Sequence, residues 1–212
     1  MKKITIDIYT DTICPWCYIG LSKLKSAMLD FSSCKYELTW RPFQLNPDMP
    51  SMGMYRQKYL DIKFNGKETA KKTYKNIYQE GIKNNIYFQF DKILITPNSF
   101  ISHKLLALAH KLKKQTEIIE TLFYEYFIEG TDIGNIKELI RISKQHDIYT
   151  NDTLRYLESS KDSEKLLAEE THARELGIKG VPCFIINKEL VLYGAQDKIN
   201  FINIFKSTFN ER

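Results

Sequence analysis

The spacing of hydrophobic residues changes twice within the first 42 residues. Ile4, Ile6 and Ile8 alternate with polar residues, which predicts a β-strand. Apolar residues then recur every three or four positions over 21–31, as on one face of an amphipathic helix. Alternation returns over 36–42 and predicts a second strand. This order is typical of a unit in which a helix crosses between two parallel strands.

The rest of the chain divides into a long helical part and a short strand-rich part. From about 55 to 175 the apolar positions keep helical spacing. Two short apolar runs, 183–186 and 190–193, flank a polar turn and predict a β-hairpin. Ile199 and Phe205 then fall on one face of a last helix. The patterns together predict one sheet interrupted by a helical insertion.

Composition and charge exclude several classes of protein. Of 212 residues, 43% are hydrophobic and 13% aromatic, enough to form a core, so a disordered chain is excluded. No apolar run approaches the ~18–20 residues that cross a bilayer, so no membrane partner is expected. The net charge of +5 comes from lysines spread over helical segments, which predicts a solvated face and no nucleic-acid partner. Asp7 and Asp11 interrupt the N-terminal segment, unlike a secretory signal, and favour a cytoplasmic location.

A Cys-x-x-Cys motif lies between the first predicted strand and the first predicted helix. Cys14 falls at the start of the helix, where free N–H groups and the helix dipole favour a thiolate. Pro15 suits the first helical turn because its missing N–H has no helical partner there. Cys17 lies one turn later, close enough to Cys14 for a disulfide. We expect Pro15 and Trp16 to tune the redox properties of the pair.

This arrangement predicts a catalytic dithiol. Cys14 would attack a partner disulfide, and Cys17 would resolve the mixed disulfide that forms. Cys17 points inward, so we expect it to be the less exposed thiol, with the higher pKa. A zinc site is a weaker interpretation, because the remaining cysteines, Cys34 and Cys183, are isolated and no metal-binding motif is present. A chance pair, or a fold retained only for binding, are further alternatives.

Several motifs along the chain occur together in one known family. The sequence resembles the FrnE-like branch of the DsbA family of thiol–disulfide oxidoreductases, within the thioredoxin superfamily. The matching segments, in chain order, are 11–20 (DTICPWCYIG), 40–47 (WRPFQLNP), 97–99 (PNS) with His103, 129–133 (EGTDI), 177–182 (GIKGVP) and 194–196 (GAQ).

The resemblance implies an α/β thioredoxin fold interrupted by an inserted all-helical domain. Residues 1–45 and 176–212 would form the thioredoxin-like domain, and 46–175 the insertion. The bond between Val181 and Pro182 would be cis and would face the dithiol. Val181 could then pair with a substrate strand beside Cys14.

Three further residues are candidates for the cleft. His103 and Asn98 belong to the family's segment on an insertion helix, and His103 could assist proton transfer to a leaving thiolate. A satisfied core or rim histidine is the alternative, since no acidic partner can be named from sequence. Cys183 follows the proline directly. It is either a buried strand cysteine or a third thiol close to Cys14.

The sequence therefore supports three hypotheses about function. The first is a disulfide oxidoreductase or isomerase acting on protein or small thiol and disulfide substrates. The second is a glutathione-dependent isomerase or transferase, as in the related 2-hydroxychromene-2-carboxylate isomerase and kappa-class branch. Those relatives tend to carry serine where this chain has Cys14. The third is a non-enzymatic adaptor. No bound cofactor is expected, apart from glutathione as a redox partner, and the sequence gives no sign of an oligomeric state.

Overall fold

A computed structural model describes residues 2–210 of the chain, with side chains as far as residue 208. Four strands form the main sheet, in the order β2-β1-β5-β6, and two very short strands pair separately. The strands are β1 (Lys3–Thr10), β2 (Lys35–Pro42), β3 (Met54–Tyr55), β4 (Ile95–Thr96), β5 (Cys183–Ile186) and β6 (Leu190–Tyr193).

The helices surround this sheet and build the insertion. They are α1 (Pro15–Asp30), α2 (Arg56–Phe64), α3 (Lys67–Lys83), α4 (Phe100–Lys111), α5 (Gln115–Tyr124), α6 (Ile136–Gln145), α7 (Thr153–Glu158), α8 (Ser163–Glu175) and α9 (Lys198–Asn210). A 3₁₀ turn at Phe90–Lys92 and a π-helical turn at Glu125–Glu129 complete the regular structure. Among the described residues, no helix combines the length and apolar character that crossing a membrane requires.

The sheet contains the predicted parallel pair and the predicted hairpin, joined by a pairing of β1 with β5. β2 lies parallel to β1, and β5 lies antiparallel to it, with Ile8 opposite Phe184. β6 returns beside β5 through a turn in which Asn187 and Lys188 adopt φ values of 51° and 64°, the left-handed backbone that a tight hairpin requires. The predicted strand–helix–strand unit and the predicted hairpin are thus both confirmed.

The two faces of the sheet are covered by different helices. Ile4, Ile6 and Ile8 point to the face where α1 and α9 pack together. Tyr9 points to the opposite face, where it meets Ala173 of α8. This arrangement follows from the two-residue period of β1, which sends neighbouring side chains to opposite sides.

The last helix differs in detail from the predicted pattern. Phe201 and Phe205 are fully buried, whereas Ile199 is 55% exposed. Phe201 and Phe205 are four residues apart and therefore share a face. Phe201 packs edge-on against Phe184 of β5, so the larger aromatic rings fill this part of the core and Ile199 remains outside it.

The insertion is helical, as predicted, apart from the two-residue pairing of β3 with β4. Strands this short show no periodicity that the sequence could reveal. The predicted boundary at residue 175 places α8 in the insertion, yet α8 packs against β2 of the main sheet as well as against α4. The architecture itself, a mixed sheet interrupted by a helical insertion, agrees with the prediction.

Candidate dithiol site

Cys14 lies at the N-terminal end of α1. Its backbone is extended, with φ −94° and ψ 112°, and Pro15 begins the helix. The Cys14 amide donates to the Asp11 carbonyl at 3.0 Å, and the Cys14 carbonyl accepts from the Cys17 amide at 3.0 Å. The loop after β1 is therefore folded back so that both sulfurs belong to the first turn of α1. All four cysteines are free thiols.

The loop before β5 lies beside Cys14. The Val181–Pro182 peptide bond is cis, as the family resemblance implied. The Cys14 thiol donates to the Val181 carbonyl, with Sγ and oxygen 3.7 Å apart. Gly20 lets the helix approach this loop, because a Cβ there would lie 3.0 Å from Pro182 Cγ.

The two thiols are almost equally covered. Cys14 is 3% exposed and Cys17 is 2% exposed, so the expected difference in exposure is present but small. Trp16 between them is 37% exposed and forms part of the surface. Burial raises the pKa of Cys17 well above its ordinary value, and the neighbouring Cys14 adds to the rise. This is the direction expected for a buried resolving thiol.

Two groups act in the opposite direction on Cys17. The Thr10 hydroxyl and the Asp11 backbone amide lie near the sulfur and partly lower its pKa, because both can donate to a thiolate. The Thr10 Oγ1 is nevertheless a buried atom without a hydrogen bond of ordinary geometry. Cys17 therefore lies in a mostly apolar pocket with a few polar groups at its edge.

His103 has the acidic partner that could not be named from sequence. Its Nε2 lies 3.8 Å from Oδ1 of Asp11, and the side chains of both residues are almost fully buried. The Asp11 carboxylate accepts hydrogen bonds from the amides of Ile13 (3.3 Å) and Leu45 (2.6 Å). The His103 Nε2 is buried and makes no hydrogen bond to another described protein atom.

Asn98 organises the wall of the site. Its Oδ1 accepts hydrogen bonds from Gln44 Nε2 and from the Phe100 amide, and its Nδ2 donates to the Met49 carbonyl. These bonds fasten the loop after β2 to the start of α4. Asn98 therefore connects two segments that flank the dithiol loop.

Cys183 faces away from the dithiol. It lies in the cluster of Tyr9, Phe43 and Ala173, whereas Cys14 and Cys17 belong to the main cluster, which includes Phe184. Burial raises its pKa to about 11. Of the two interpretations, the buried strand cysteine fits this position better than a third thiol close to Cys14, because Cys183 and Phe184 alternate across the sheet.

A buried arginine near the site was missed by sequence reasoning. Arg56 donates to Thr96 Oγ1 at 3.2 Å and Tyr126 OH at 3.4 Å, and its guanidinium lies 4.8 Å from the centre of the Tyr74 ring. Burial raises the pKa of Tyr74, Arg56 opposes the rise, and Cys14 adds to it, which indicates that this cluster borders the dithiol. No motif marks Arg56, because its neighbours come from distant helices.

The zinc interpretation has no support from the grouping of side chains. Within residues 2–210, no three His, Cys, Asp or Glu side chains cluster in a way that could hold a metal ion. Cys34 is 5% exposed and lies just before β2, apart from the dithiol.

Comparisons with solved structures place the same architecture in several enzymes. A probable DsbA oxidoreductase from Streptomyces coelicolor has a TM-score of 0.88 at 19% identity, over 99% of this chain and 91% of that one. The cytosolic disulfide reductase DsbM from Pseudomonas aeruginosa has a TM-score of 0.64 at 14% identity, over 98% and 100%. A 2-hydroxychromene-2-carboxylate isomerase has a TM-score of 0.71 at 13% identity, over 97% and 94%. At these identities the likeness concerns the fold alone.

Sequence comparison identifies the family. No curated protein matches the sequence. The profile of the DSBA-like thioredoxin domain, however, matches residues 5–204, nearly the whole chain. With a thioredoxin-type sheet, a helical insertion and a cis-proline loop beside the Cys-x-x-Cys helix, the chain belongs to the DSBA-like thioredoxin domain family.

Proposed function

We propose that this protein is a thiol–disulfide oxidoreductase that exchanges disulfides with protein substrates through Cys14 and Cys17. The observation that carries the proposal is the position of Cys14, at the start of α1 and 3.7 Å from the Val181 carbonyl. A helix N-terminus favours the thiolate, and a thiolate is the nucleophile in disulfide exchange.

The reaction has two steps. The Cys14 thiolate attacks one sulfur of a substrate disulfide, forming a mixed disulfide and releasing the other substrate sulfur as a thiolate. Cys17 then loses its proton and attacks the Cys14 sulfur, which breaks the mixed disulfide and frees the second substrate thiolate. The dithiol is oxidised to a Cys14–Cys17 disulfide, and the substrate disulfide is reduced to two thiols.

The raised pKa of Cys17 supports this division of roles. A thiol that keeps its proton does not compete with Cys14 for the substrate disulfide. It attacks only after the mixed disulfide has formed, when the sulfur it needs is one helical turn away. In a reducing cytoplasm, the location that the sequence favours, the net direction would be reduction or isomerisation.

A trapping experiment tests this function. Cys17→Ser removes the resolving thiol, so Cys14 should accumulate mixed disulfides with substrate proteins, and Cys14→Ser should lower insulin reduction at least ~100-fold. Cys34→Ser is the matched control, because Cys34 is another buried free thiol and its removal should change neither result. No trapped partner together with no insulin reduction by the unaltered protein would overturn the proposal and leave the glutathione-dependent and adaptor hypotheses.

The glutathione-dependent alternative predicts a different pattern. An enzyme that activates bound glutathione would keep its turnover when Cys14 is replaced by serine, as in the relatives that carry serine there. The present chain retains both cysteines, which supports disulfide exchange. Glutathione-dependent turnover by Cys14→Ser, measured beside insulin reduction, would reverse this assignment.

A further inference from the structure

A cavity of about 980 Å³ lies between the loop after β2 and the helical insertion. Its walls come from that loop, from the starts of α4 and α6, and from α7 and α8. The described residues that line it include neither cysteine of the dithiol nor Val181 and Pro182, so the cavity is separate from the dithiol site. Pockets that hold small molecules usually measure ~300–1,000 Å³, so this cavity can contain a ligand of that size.

Much of the cavity wall is apolar. Met52, Leu154 and Leu167 line it and are exposed, so apolar surface is left in contact with solvent. Further apolar side chains come from the other walls: Pro47, Pro97, Phe100, Ile101, Ile136 and Leu157. A ligand with an apolar body would remove this surface from water, which favours binding.

Three of the four charged residues in the lining leave no charge for a ligand inside the cavity. Lys137 and Glu158 are exposed and opposite in sign. Lys104 is 2% exposed. Its ammonium donates to three main-chain carbonyls at the end of α7, those of Tyr156, Leu157 and Ser159. Because an ammonium has three N–H donors, Lys104 is fully engaged within the chain.

Asp132 is the fourth charged residue, and it lies in the segment 129–133, which the exchange mechanism does not use. Its side chain is partly buried, and its Oδ1 accepts from the Gly134 amide at 2.9 Å. With the other described residues it forms no ion pair. Burial raises its pKa, and the neighbouring Glu138 adds to the rise. A carboxylate withdrawn from water without a cation is costly, and a cation in the cavity would lower that cost.

The amides at the two helix starts beside the cavity are engaged by their own chain. At α6, Asn135 Oδ1 accepts from the Lys137 amide at 2.9 Å, and the Asn135 amide donates to the Asp132 carbonyl at 3.0 Å. At α4, the Phe100 amide donates to Asn98 Oδ1 at 2.9 Å. These donors are therefore not free for an anion, and the charge of Asp132 favours a cation.

We propose that this cavity binds a small amphipathic amine, a molecule with an apolar body and one protonated amino group. The ammonium pairs with the Asp132 carboxylate, and the apolar body packs against side chains such as Ile101, Leu157 and Leu167. The site is distinct from the dithiol, and the inference does not rest on the proposed disulfide exchange.

Three fluorescent probes that share a dansyl group test the charge preference. Dansylcadaverine carries a primary amine, its N-acetyl derivative is neutral, and N-dansyl-6-aminohexanoate carries a carboxylate. Binding to the reduced full-length chain is measured by dansyl fluorescence anisotropy. We expect the amine to bind at least ~10-fold more tightly than the neutral probe, because a hydrogen bond between charged groups is gained, and the carboxylate probe to bind most weakly.

Three variants locate the bound probe. Asp132→Asn removes the charge and keeps an oxygen that can accept from the Gly134 amide, so it should weaken binding of the amine at least ~10-fold and leave the neutral probe unchanged. Asp152→Asn is the matched control, because Asp152 is exposed and lies outside the lining. Leu167→Trp adds bulk to the lining and should weaken binding of both probes.

Each part of the proposal can fail separately. Equal binding of the amine and the neutral probe, or unchanged binding of the amine to Asp132→Asn, would overturn the pairing with Asp132. No binding of dansylcadaverine, or equally tight binding to Leu167→Trp, would overturn the cavity as the site. Insulin reduction should stay unchanged in Asp132→Asn, since the dithiol is not part of this cavity.

Discussion

Cys17 and Cys183 are both buried thiols, yet they lie on opposite faces of the same sheet. On the α1 face, Cys17 has Cys14, the Thr10 hydroxyl and the Asp11 amide as neighbours. On the α8 face, Cys183 is surrounded by apolar groups and aromatic rings, and burial is the one cause of its raised pKa. Both thiols are shielded from water, but only Cys17 has polar groups beside its sulfur.

Burial alone therefore does not make a thiol reactive. Desolvation disfavours the thiolate at both positions. Cys17 is set apart by a second sulfur one helical turn away and by two polar groups, the Thr10 hydroxyl and the Asp11 amide, that can donate to its thiolate. A cysteine pair at a helix N-terminus is therefore a stronger indication of chemistry than a single buried cysteine beside a cis-proline, such as Cys183.

The same substitution at both positions provides the largest test of this contrast. Cys183→Ser buries a hydroxyl among apolar groups, and we expect a loss of about 2 kcal/mol in the free energy of unfolding. Cys17→Ser should cost about 1 kcal/mol or less, because Thr10 and Asp11 offer hydrogen bonds. Urea denaturation of the reduced proteins measures both. Equal losses would mean that the two pockets are equally apolar.

Gly20 allows a sharper test of the α1 face. A Cβ on Gly20 would lie 3.0 Å from Pro182 and 3.2 Å from Phe184, both held in the packed loop and core. Overpacking of this kind costs about 1–3 kcal/mol, and the better helix propensity of alanine offsets about 1 kcal/mol. We expect Gly20→Ala to lose about 1 kcal/mol of stability and to slow insulin reduction, because Pro182 must shift relative to Cys14.

The control for this variant lies in the same loop. A Cβ on Gly180 would meet nothing within 4 Å, so Gly180→Ala should leave both stability and insulin reduction close to those of the unaltered protein. If Gly20→Ala proved more stable and equally active, the close approach of α1 to the cis-proline loop would not matter for exchange.

The smallest expected effect is the loss of stability at alkaline pH. Comparison of the unaltered protein with Cys183→Ala isolates the part of this loss that comes from Cys183. Its pKa is about 11 in the folded protein against an ordinary value of 9.0, so an unfolded chain releases this proton at lower pH. The contribution of Cys183 to stability is complete below pH 9 and is lost as pH rises towards 11. We expect the stability difference between the unaltered protein and Cys183→Ala to shrink by about 1 kcal/mol near pH 10. A constant difference in urea denaturation from pH 8 to 10 would contradict the raised pKa.

The sequence predicted what depends on local pattern. The alternation around Ile6 and the helical spacing after Cys17 identified β1 and α1, and the polar turn at Asn187 identified the hairpin. The position of Cys14 at the start of α1 also follows from the chain order of strand, motif and helix. These features involve residues close together in the chain, so their spacing carries the information.

Other features depend on how distant segments meet. The contact of Asp11 with His103 joins the loop after β1 to α4, and no local pattern specifies it. The side on which Cys183 lies depends on the register between β1 and β5, with Tyr9 opposite Cys183. The burial of Arg56 arises in the same way, since its partners Thr96 and Tyr126 come from separate parts of the insertion.

The order of strands has a consequence for synthesis. β1 can pair with β2 as soon as both strands have left the ribosome, but its other edge waits for β5, which follows the helical insertion along the chain. Contacts of such long sequence separation form slowly. The Val181 carbonyl therefore joins Cys14 only after the whole helical insertion has been synthesised, so a nascent chain carries Cys14 and Cys17 through that part of its elongation without the environment that governs their chemistry.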